Sequence, residues 1–503
     1  MRSDLPASNP DRTALLRIHP DDDVATALRA VDAGDLIEVD GEVLRARQAI
    51  PFGHKLALRP LSVGEEVRKY GGPIGRMTAR AEPGDHVHQH NLSTQLDDVE
   101  VYDYRPGVPN HLPARQMTFA GYRRGDGRVG TRNEIWILPT VGCVARTAER
   151  IAAIAQARHA GAIDGIHAFS HPFGCSQLGD DLAGMRSILA ALASHPNAGG
   201  VLLLGLGCES NQLDALMNEI APEARQRVRS VLAQSSGDEI AEGLAAIDAL
   251  VANAALTSRT EVPIGELVVG LKCGGSDGFS GLTANPLVGR IADWVNGSGG
   301  STILSEIPEA FGAERQLMQR ARDRSVFEGI VALVNDFKRY FLDHGQPVSE
   351  NPSPGNIAGG ITTLEEKSLG AVQKSGAAQV SDVLRYGQRV RRQGLTLLEA
   401  PGNDAISSTA MAAAGATVIL FTTGRGTPLG TVVPTLKIAS NSPLAQRKPG
   451  WIDFDAGEVL HSGLEQGSEA LFAKLLAVAS GERTASELSG EREMAIWKRG
   501  VTL

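Results

Sequence analysis

From residue 121 onward, short apolar runs alternate with longer Ala/Leu-rich stretches. Ile135-Trp136-Ile137-Leu138, Gly165-Ile166-His167-Ala168-Phe169, Val201-Leu202-Leu203-Leu204 and Leu267-Val268-Val269 lack an inside/outside alternation. That pattern predicts strands buried on both faces. Between them, 147–158, 181–192, 238–254 and 286–295 read as helices, which gives the rhythm of a doubly wound α/β fold. A further α/β region follows, with helices at 308–320 and 326–342, a polar loop at 351–356 and a strand at 417–421. Residues 13–92 differ. Strand-like pieces at 15–18, 36–39, 55–58 and 66–69 are short and punctuated by Asp40-Gly41 and Gly71-Gly72-Pro73, with one helix expected at 24–33. This predicts a small β-rich module. Pro106, Pro109 and Pro113 mark 93–117 as a linker, and 1–12 reads as a disordered leader. The body then divides into α/β parts at 118–260 and 261–503 with mainly parallel sheets.

Composition narrows the class. The chain has 503 residues, 42% of them apolar, enough for more than one core. Its net charge of −9 comes from mixed signs without long runs, so there is no electrostatic footprint for nucleic acid. No apolar run approaches the roughly 18 residues of a membrane span, and no signal-peptide core follows Met1. A cytoplasmic protein with reduced thiols is expected, and a homo-oligomer is compatible with it.

Cysteine is scarce, and all four residues share one kind of place. Each follows an apolar run beside glycine: Val141-Gly142-Cys143, Phe173-Gly174-Cys175-Ser176, Leu206-Gly207-Cys208-Glu209 and Lys272-Cys273-Gly274-Gly275-Ser276-Asp277. In a parallel sheet the carboxyl ends of the strands form one ligand-binding edge, so the four thiols are expected to converge on one crevice. None forms a Cys-x-x-Cys pair. Ligation from separate loops, as an exposed iron–sulfur cluster needs, stays open, as does burial as small core hydrophobes.

Other clusters carry chemistry. The turn from Lys272 to Asp277 offers a thiol, a hydroxyl, a carboxylate and free amides that suit an anion. The turn Thr422-Thr423-Gly424-Arg425-Gly426-Thr427 adds a guanidinium, which grips carboxylates bidentately. Neither turn is a Walker or dinucleotide motif. His86, His88 and His90 alternate, so a strand would put them on one face, suited to Fe, Zn or Mn; a solvated strand end is the bland alternative. His54 and His19 lie in the same module as further donors. His171, before Pro172, suits an acid, base or ligand role, or simple loop packing.

Taken together, these stretches resemble the altronate/galactarate dehydratase family, and its altronate branch above all. The resemblance covers nearly the whole chain. It is carried by Gly53-His54-Lys55, Lys69-Tyr70-Gly71, His86-Val87-His88 with His90-Asn91, Asp126-Gly127-Arg128-Val129-Gly130 and His171-Pro172-Phe173-Gly174-Cys175. Further along come Gly205-Leu206-Gly207-Cys208-Glu209, Cys273-Gly274-Gly275-Ser276-Asp277, 351–356, Pro401-Gly402-Asn403-Asp404, 423–428 and Gly500-Val501-Thr502-Leu503. The resemblance implies an N-terminal SAF-like domain and a two-part α/β catalytic body. It implies elimination of water from D-altronate to 2-dehydro-3-deoxy-D-gluconate, in hexuronate catabolism. It also implies a divalent metal, usually Fe(2+). From the residues themselves, Mn(2+) or an iron–sulfur cluster stays open as an alternative.

The chemistry sorts the inventory. Taking the C2 proton from a 2,3-dihydroxy acid builds a second negative charge on the carboxylate, which a cation and an Arg can hold. His171, Cys273, Asp277 and Glu209 are the catalytic candidates. Arg425, Thr422, Thr423, Ser276, Asn351, Asn356 and Asn403 are the substrate-binding candidates. Metal ligands are to be drawn from His86, His88, His90, Cys143, Cys175 and Cys208, not all at once. The rivals are a galactarate or other aldarate dehydratase, a sulfolactate sulfo-lyase-like elimination, a non-catalytic sugar-acid sensor and a thiol-based redox enzyme.

Overall fold

A computed structural model describes residues 14–503, so the leader expected at 1–12 lies outside the described residues. The N-terminal module is wholly antiparallel. Leu15–Leu16, Val24–Ala27, Lys55–Ala57 and His86–Val87 form one sheet, and Glu66–Lys69, Gly72–Met77 and Leu92–Ser93 another. A hairpin joins Leu36–Val39 to Glu42–Arg45. The helix expected at 24–33 is instead the strand Val24–Ala27 followed by turns. Its four residues are all buried between flanking strands, so inter-strand pairing overrides a weak helical pattern that Asp32 and Gly34 would in any case break.

The segment expected as a linker has no helix or strand from 94 to 117, but it is anchored. The Tyr102 hydroxyl donates to Glu314 at 2.5 Å, and Asn335 Nδ2 donates to the Glu100 carbonyl at 2.9 Å. The chain is therefore strapped across the C-terminal part. Thr118–Arg123 then pairs antiparallel with Thr260–Pro263, tying the entry of the middle part to its exit.

The middle part holds a four-stranded parallel sheet in the order Gly165–Ala168, Glu134–Pro139, Ala198–Gly205, Val228–Leu232. The helices expected there form as Ala145–Arg158, Gly179–Ala193 and Glu239–Ala254, the last capped by the Asp238 side chain. The C-terminal part holds seven parallel strands in the order Val380–Leu384, Gly394–Leu398, Ser301–Leu304, Val268–Cys273, Val418–Thr423, Thr435–Ala439, Phe454–Asp455. Of the helical pair, 326–342 forms as Arg324–Asp343. The stretch 308–320 breaks into a short turn, Ile307–Ala310, and a short helix, Glu314–Met318.

The two sheets share their polarity. Thr131 Oγ1 and Asn197 Nδ2 both donate to the Thr417 carbonyl, at 2.7 and 3.1 Å, which joins the two amino edges. Helices Gly179–Ala193 and Asp404–Ala414 pack together between the sheets. Both carboxyl edges therefore face one way, but they belong to different sheets. The expected single crevice of four cysteines divides: Cys143, Cys175 and Cys208 lie on one sheet and Cys273 on the other. The reason is that the middle part builds its own four-stranded sheet, which no run-by-run reading of the chain reveals.

Candidate active site at the seam between the N-terminal module and the C-terminal sheet

Three imidazoles meet where the N-terminal module touches the C-terminal part. His54, His86 and His88 each bring one ring nitrogen to within 4.8 Å of the others. His54 Nδ1 lies 3.0 Å from His86 Nε2, on the order of the separation that two nitrogens adopt on one divalent cation bound at about 2.0–2.1 Å. His54 Nε2 faces the Ala358 carbonyl at 3.4 Å. A carbonyl only accepts, so that nitrogen carries the proton and the Nδ1 lone pair points into the group. His88 Nδ1 is held by the Thr362 hydroxyl at 2.9 Å. Burial first, and then the neighbouring rings and Lys55, push His86 down to about 3 and His88 down to about 4. These rings are neutral at physiological pH, the form that ligates metal. The strand ends at Val87 and a turn follows, so His90 is exposed on that turn and outside the group. Its ring centroid still lies 5.4 Å from that of His86.

The seam is tight. Phe52 stacks on Phe279 with ring centroids 4.3 Å apart, and a Cβ on Gly278 would sit 2.0 Å from the Gly53 carbonyl oxygen. Lys55 and Lys69 both bond Glu366 at 2.8 Å, all three buried. On its other flank the turn of Gly275 to Ser280 carries the Arg turn. The Gly275 carbonyl accepts from the amides of Gly424 and Arg425 at 3.0 and 2.9 Å. Arg425 is exposed, and its guanidinium has no hydrogen bond or ion pair among the described residues. One turn thus borders both the imidazole group and an unengaged guanidinium.

A second donor group, Cys273 with Glu306 and Glu309, lies buried at the end of the central strand Val268–Cys273. It does not fit a cation. Lys374 Nζ lies 2.7 Å from Cys273 Sγ, Lys367 bonds Glu309 at 2.8 Å, and Lys272 bonds Glu306 and, at 2.7 Å, Asp404. Three ammonium groups already balance the acids. Burial, with Glu306 and Glu309 beside it, pushes the Cys273 thiol up to about 12. Glu306 sits at a left-handed φ of 61°, a strained conformation for a non-glycine residue.

The relatives agree with this architecture. Profiles described as "Altronate/galactarate dehydratase SAF domain", "D-galactarate dehydratase/Altronate hydrolase, second domain" and "D-galactarate/Altronate dehydratase, C-terminal" match residues 13–95, 121–255 and 264–502. The altronate dehydratase of Escherichia coli (strain K12) is 48% identical over 97% of this chain and 99% of its own length. The chain belongs to the altronate/galactarate dehydratase family. The altronate dehydratase of Bacillus subtilis (strain 168) is 46% identical over 97% of this chain and 100% of its own length. The galactarate dehydratase (L-threo-forming) of Escherichia coli (strain K12) is 33% identical over 93% of each chain. As a member of this family the chain is a sugar-acid hydro-lyase with an N-terminal SAF domain.

Within that family fold, several sequence candidates prove to hold loops together. His171 is buried, with Nε2 2.8 Å from the Pro139 carbonyl and Nδ1 accepting from Phe173 N. Glu209 accepts from the Thr140 hydroxyl and from the amides of Leu206 and Gly207. Asp277 accepts from Ser280, Ser440, Asn441 and the Phe279 amide. Thr422 bonds Asn285, Thr423 caps Gly426 N, and Asn356 closes a capping box and donates to the Ser276 carbonyl. Asn351 takes Lys367 at 2.9 Å, and Asn403 caps the helix Asp404–Ala414 while remaining exposed. The buried lysines and Glu306, Glu309 and Glu366 were not singled out from the sequence. Their signal is a charge inside an apolar run, as in Leu271-Lys272-Cys273, because such residues are buried only when paired. A cavity of about 830 Å³ opens at the opposite, amino edge beside Arg128, His195, Glu266 and Arg389. It is lined there by strand starts and helix ends, away from the turns that carry the chemistry.

Proposed function

We propose that this protein dehydrates D-altronate to 2-dehydro-3-deoxy-D-gluconate at the seam between its SAF domain and its C-terminal sheet. The observation that carries the site is the imidazole group beside the turn of Gly275 to Ser280, whose Gly275 carbonyl also holds the Arg425 turn. The near-full-length likeness to two altronate dehydratases supports the substrate. His54, His86 and His88 would hold a divalent cation, iron by preference and manganese as the alternative. When bound it supplies a Lewis acid for hydroxyl and carboxylate oxygens. The protein's own residues do the rest. The Arg425 fork takes the substrate carboxylate and tightens its hold as charge grows on those oxygens after the C2 proton leaves. Ser276, Asn351 and Asn403 would supply polar partners for the polyol. The ion triplet Lys55–Glu366–Lys69 and the Phe52–Phe279 stack keep the imidazoles in register with the turn. The same reading puts the reaction in cytoplasmic hexuronate catabolism and admits a homo-oligomer.

The test is product formation by the metal-loaded protein from D-altronate, galactarate and sulfolactate in parallel. A 2-keto acid should appear fastest from altronate. Faster turnover of galactarate, or sulfite release from sulfolactate, overturns the substrate assignment.

A further inference from the structure

Free cysteine is among the most often buried residue types, yet Cys143, Cys175 and Cys208 are all free and exposed. They leave the carboxyl ends of three neighbouring parallel strands, with Glu134–Pro139 in the middle. Strands about 4.8 Å apart launch the three turns side by side. The turns are then bolted together. Gly142 N donates to the Phe173 carbonyl at 2.8 Å, Asn211 N donates to the Gly174 carbonyl at 3.1 Å, and Thr140 bonds Glu209. A Cβ on Gly174 would lie 2.2 Å from the Thr140 carbonyl oxygen, so the turns pack backbone to backbone. Ser176 is held at a left-handed φ of 58°, and Leu503 N, at the chain's end, donates to its carbonyl at 3.0 Å. Glu209, the nearest acid in sequence, is turned inward and buried.

We propose that Cys143, Cys175 and Cys208 hold an iron–sulfur cluster of the four-iron type through three thiolates, with one iron left without a protein ligand. The spacing argues against a single tetrahedral ion. A tetrahedral zinc at about 2.3 Å from each thiolate needs sulfurs roughly 3.8 Å apart, and these three sulfurs do not all fall within 4.8 Å of one another. Gln234 Nε2 already lies 3.5 Å from Cys208 Sγ, the kind of donor that tunes cluster sulfurs. Helices Ala145–Arg158 and Gly179–Ala193 begin just after Cys143 and Cys175, and their positive ends favour thiolates. On assembly each thiol gives its proton to solvent as its sulfur bonds iron. Equal parts of ferrous and ferric iron with sulfide supply the cluster, so no further oxidant is required. The site is independent of the imidazole group and of the substrate proposed above.

The test uses the full chain purified and reconstituted anaerobically with iron and sulfide. Acid-labile sulfide, broad visible absorption and the paramagnetic signal after dithionite reduction are measured. All three should be present in the wild type and in His88→Ala, and lost in Cys143→Ser/Cys175→Ser/Cys208→Ser. Each single Ser variant serves where the triple fails to fold, and should lower sulfide content severalfold. Iron without sulfide in the wild type, or sulfide that persists in the Ser variants, overturns the proposal. Failure of altronate turnover leaves this result untouched, because none of its readouts is activity.

Discussion

At the residue scale, Arg425 separates substrate holding from loop holding. Its backbone amide is bonded to Gly275 while its guanidinium is unengaged among the described residues. Arg425→Lys keeps the charge and loses the fork. The expected outcome is a fall in kcat/KM of at least tenfold, about 1.4 kcal/mol of transition-state stabilisation, with an unchanged melting temperature. A melting temperature that falls in step with activity would assign the side chain to the loop. His88→Ala removes one donor from the imidazole group and a contact to Thr362. Metal per chain should fall severalfold in equilibrium dialysis while the far-UV circular dichroism stays the same. Cys273→Ser, inside the lysine-lined network, should lower stability and leave metal content unchanged.

At the element scale, the site exists only while the SAF domain stays docked. Glu366, on the helix Leu364–Ala371, bridges two fully buried lysines from two different strands. Glu366→Gln leaves both ammonium groups without a counter-charge, and breaking such a buried pair costs about 3–5 kcal/mol. The N-terminal module should then become sensitive to limited proteolysis near residues 94–117 before the body unfolds. Gly278→Ala attacks the same seam sterically, because its Cβ would meet a backbone oxygen that no rotamer change can move. Activity and proteolytic protection should fall together in that variant. Activity lost without a change in protection would separate the seam from the site.

At the scale of the whole molecule, one ionic knot joins the middle part to the C-terminal end. Arg132 makes two bonds of 2.9 Å to Glu487, and Arg492 bonds both Glu487 and Glu134. The Glu487 side chain is buried, but its hydrogen bonds from Arg132 and the charges of Arg132 and Arg492 outweigh that burial and hold its carboxyl down at about 2, against an ordinary value of 4.5. A carboxylate depressed in the folded state stabilises above its unfolded value and loses that contribution as the pH falls. The wild type should therefore exceed Glu487→Gln in melting temperature by a full margin at pH 7. That margin should shrink as the pH drops from about 4.5 towards about 2. A margin that is constant across this range would mean that packing, not charge, makes the difference.

Local pattern was sufficient for much of this protein. Short apolar runs without alternation, bounded by glycine, read as strands covered on both faces, and the glycine makes each exit a sharp turn. The parallel body, its helices and the cysteines at the strand ends were therefore legible residue by residue, as was the likeness to a dehydratase family. The strand at 24–27 was not, because its conformation is set by partners at 15–16 and 55–57 rather than by its own neighbours. The membership of each site likewise came only with the tertiary structure. His54 joins His86 and His88 through antiparallel pairing of Lys55–Ala57 with His86–Val87, while His90, with the right spacing, leaves on a turn. Two separate sheets take three cysteines one way and Cys273 another, and Asp277, Glu209 and His171 are satisfied by their own turns together with partners from other strand ends. Spacing along a chain reports which face a residue takes. Which faces meet is decided by long-range pairing and by the need of every buried polar group for a partner.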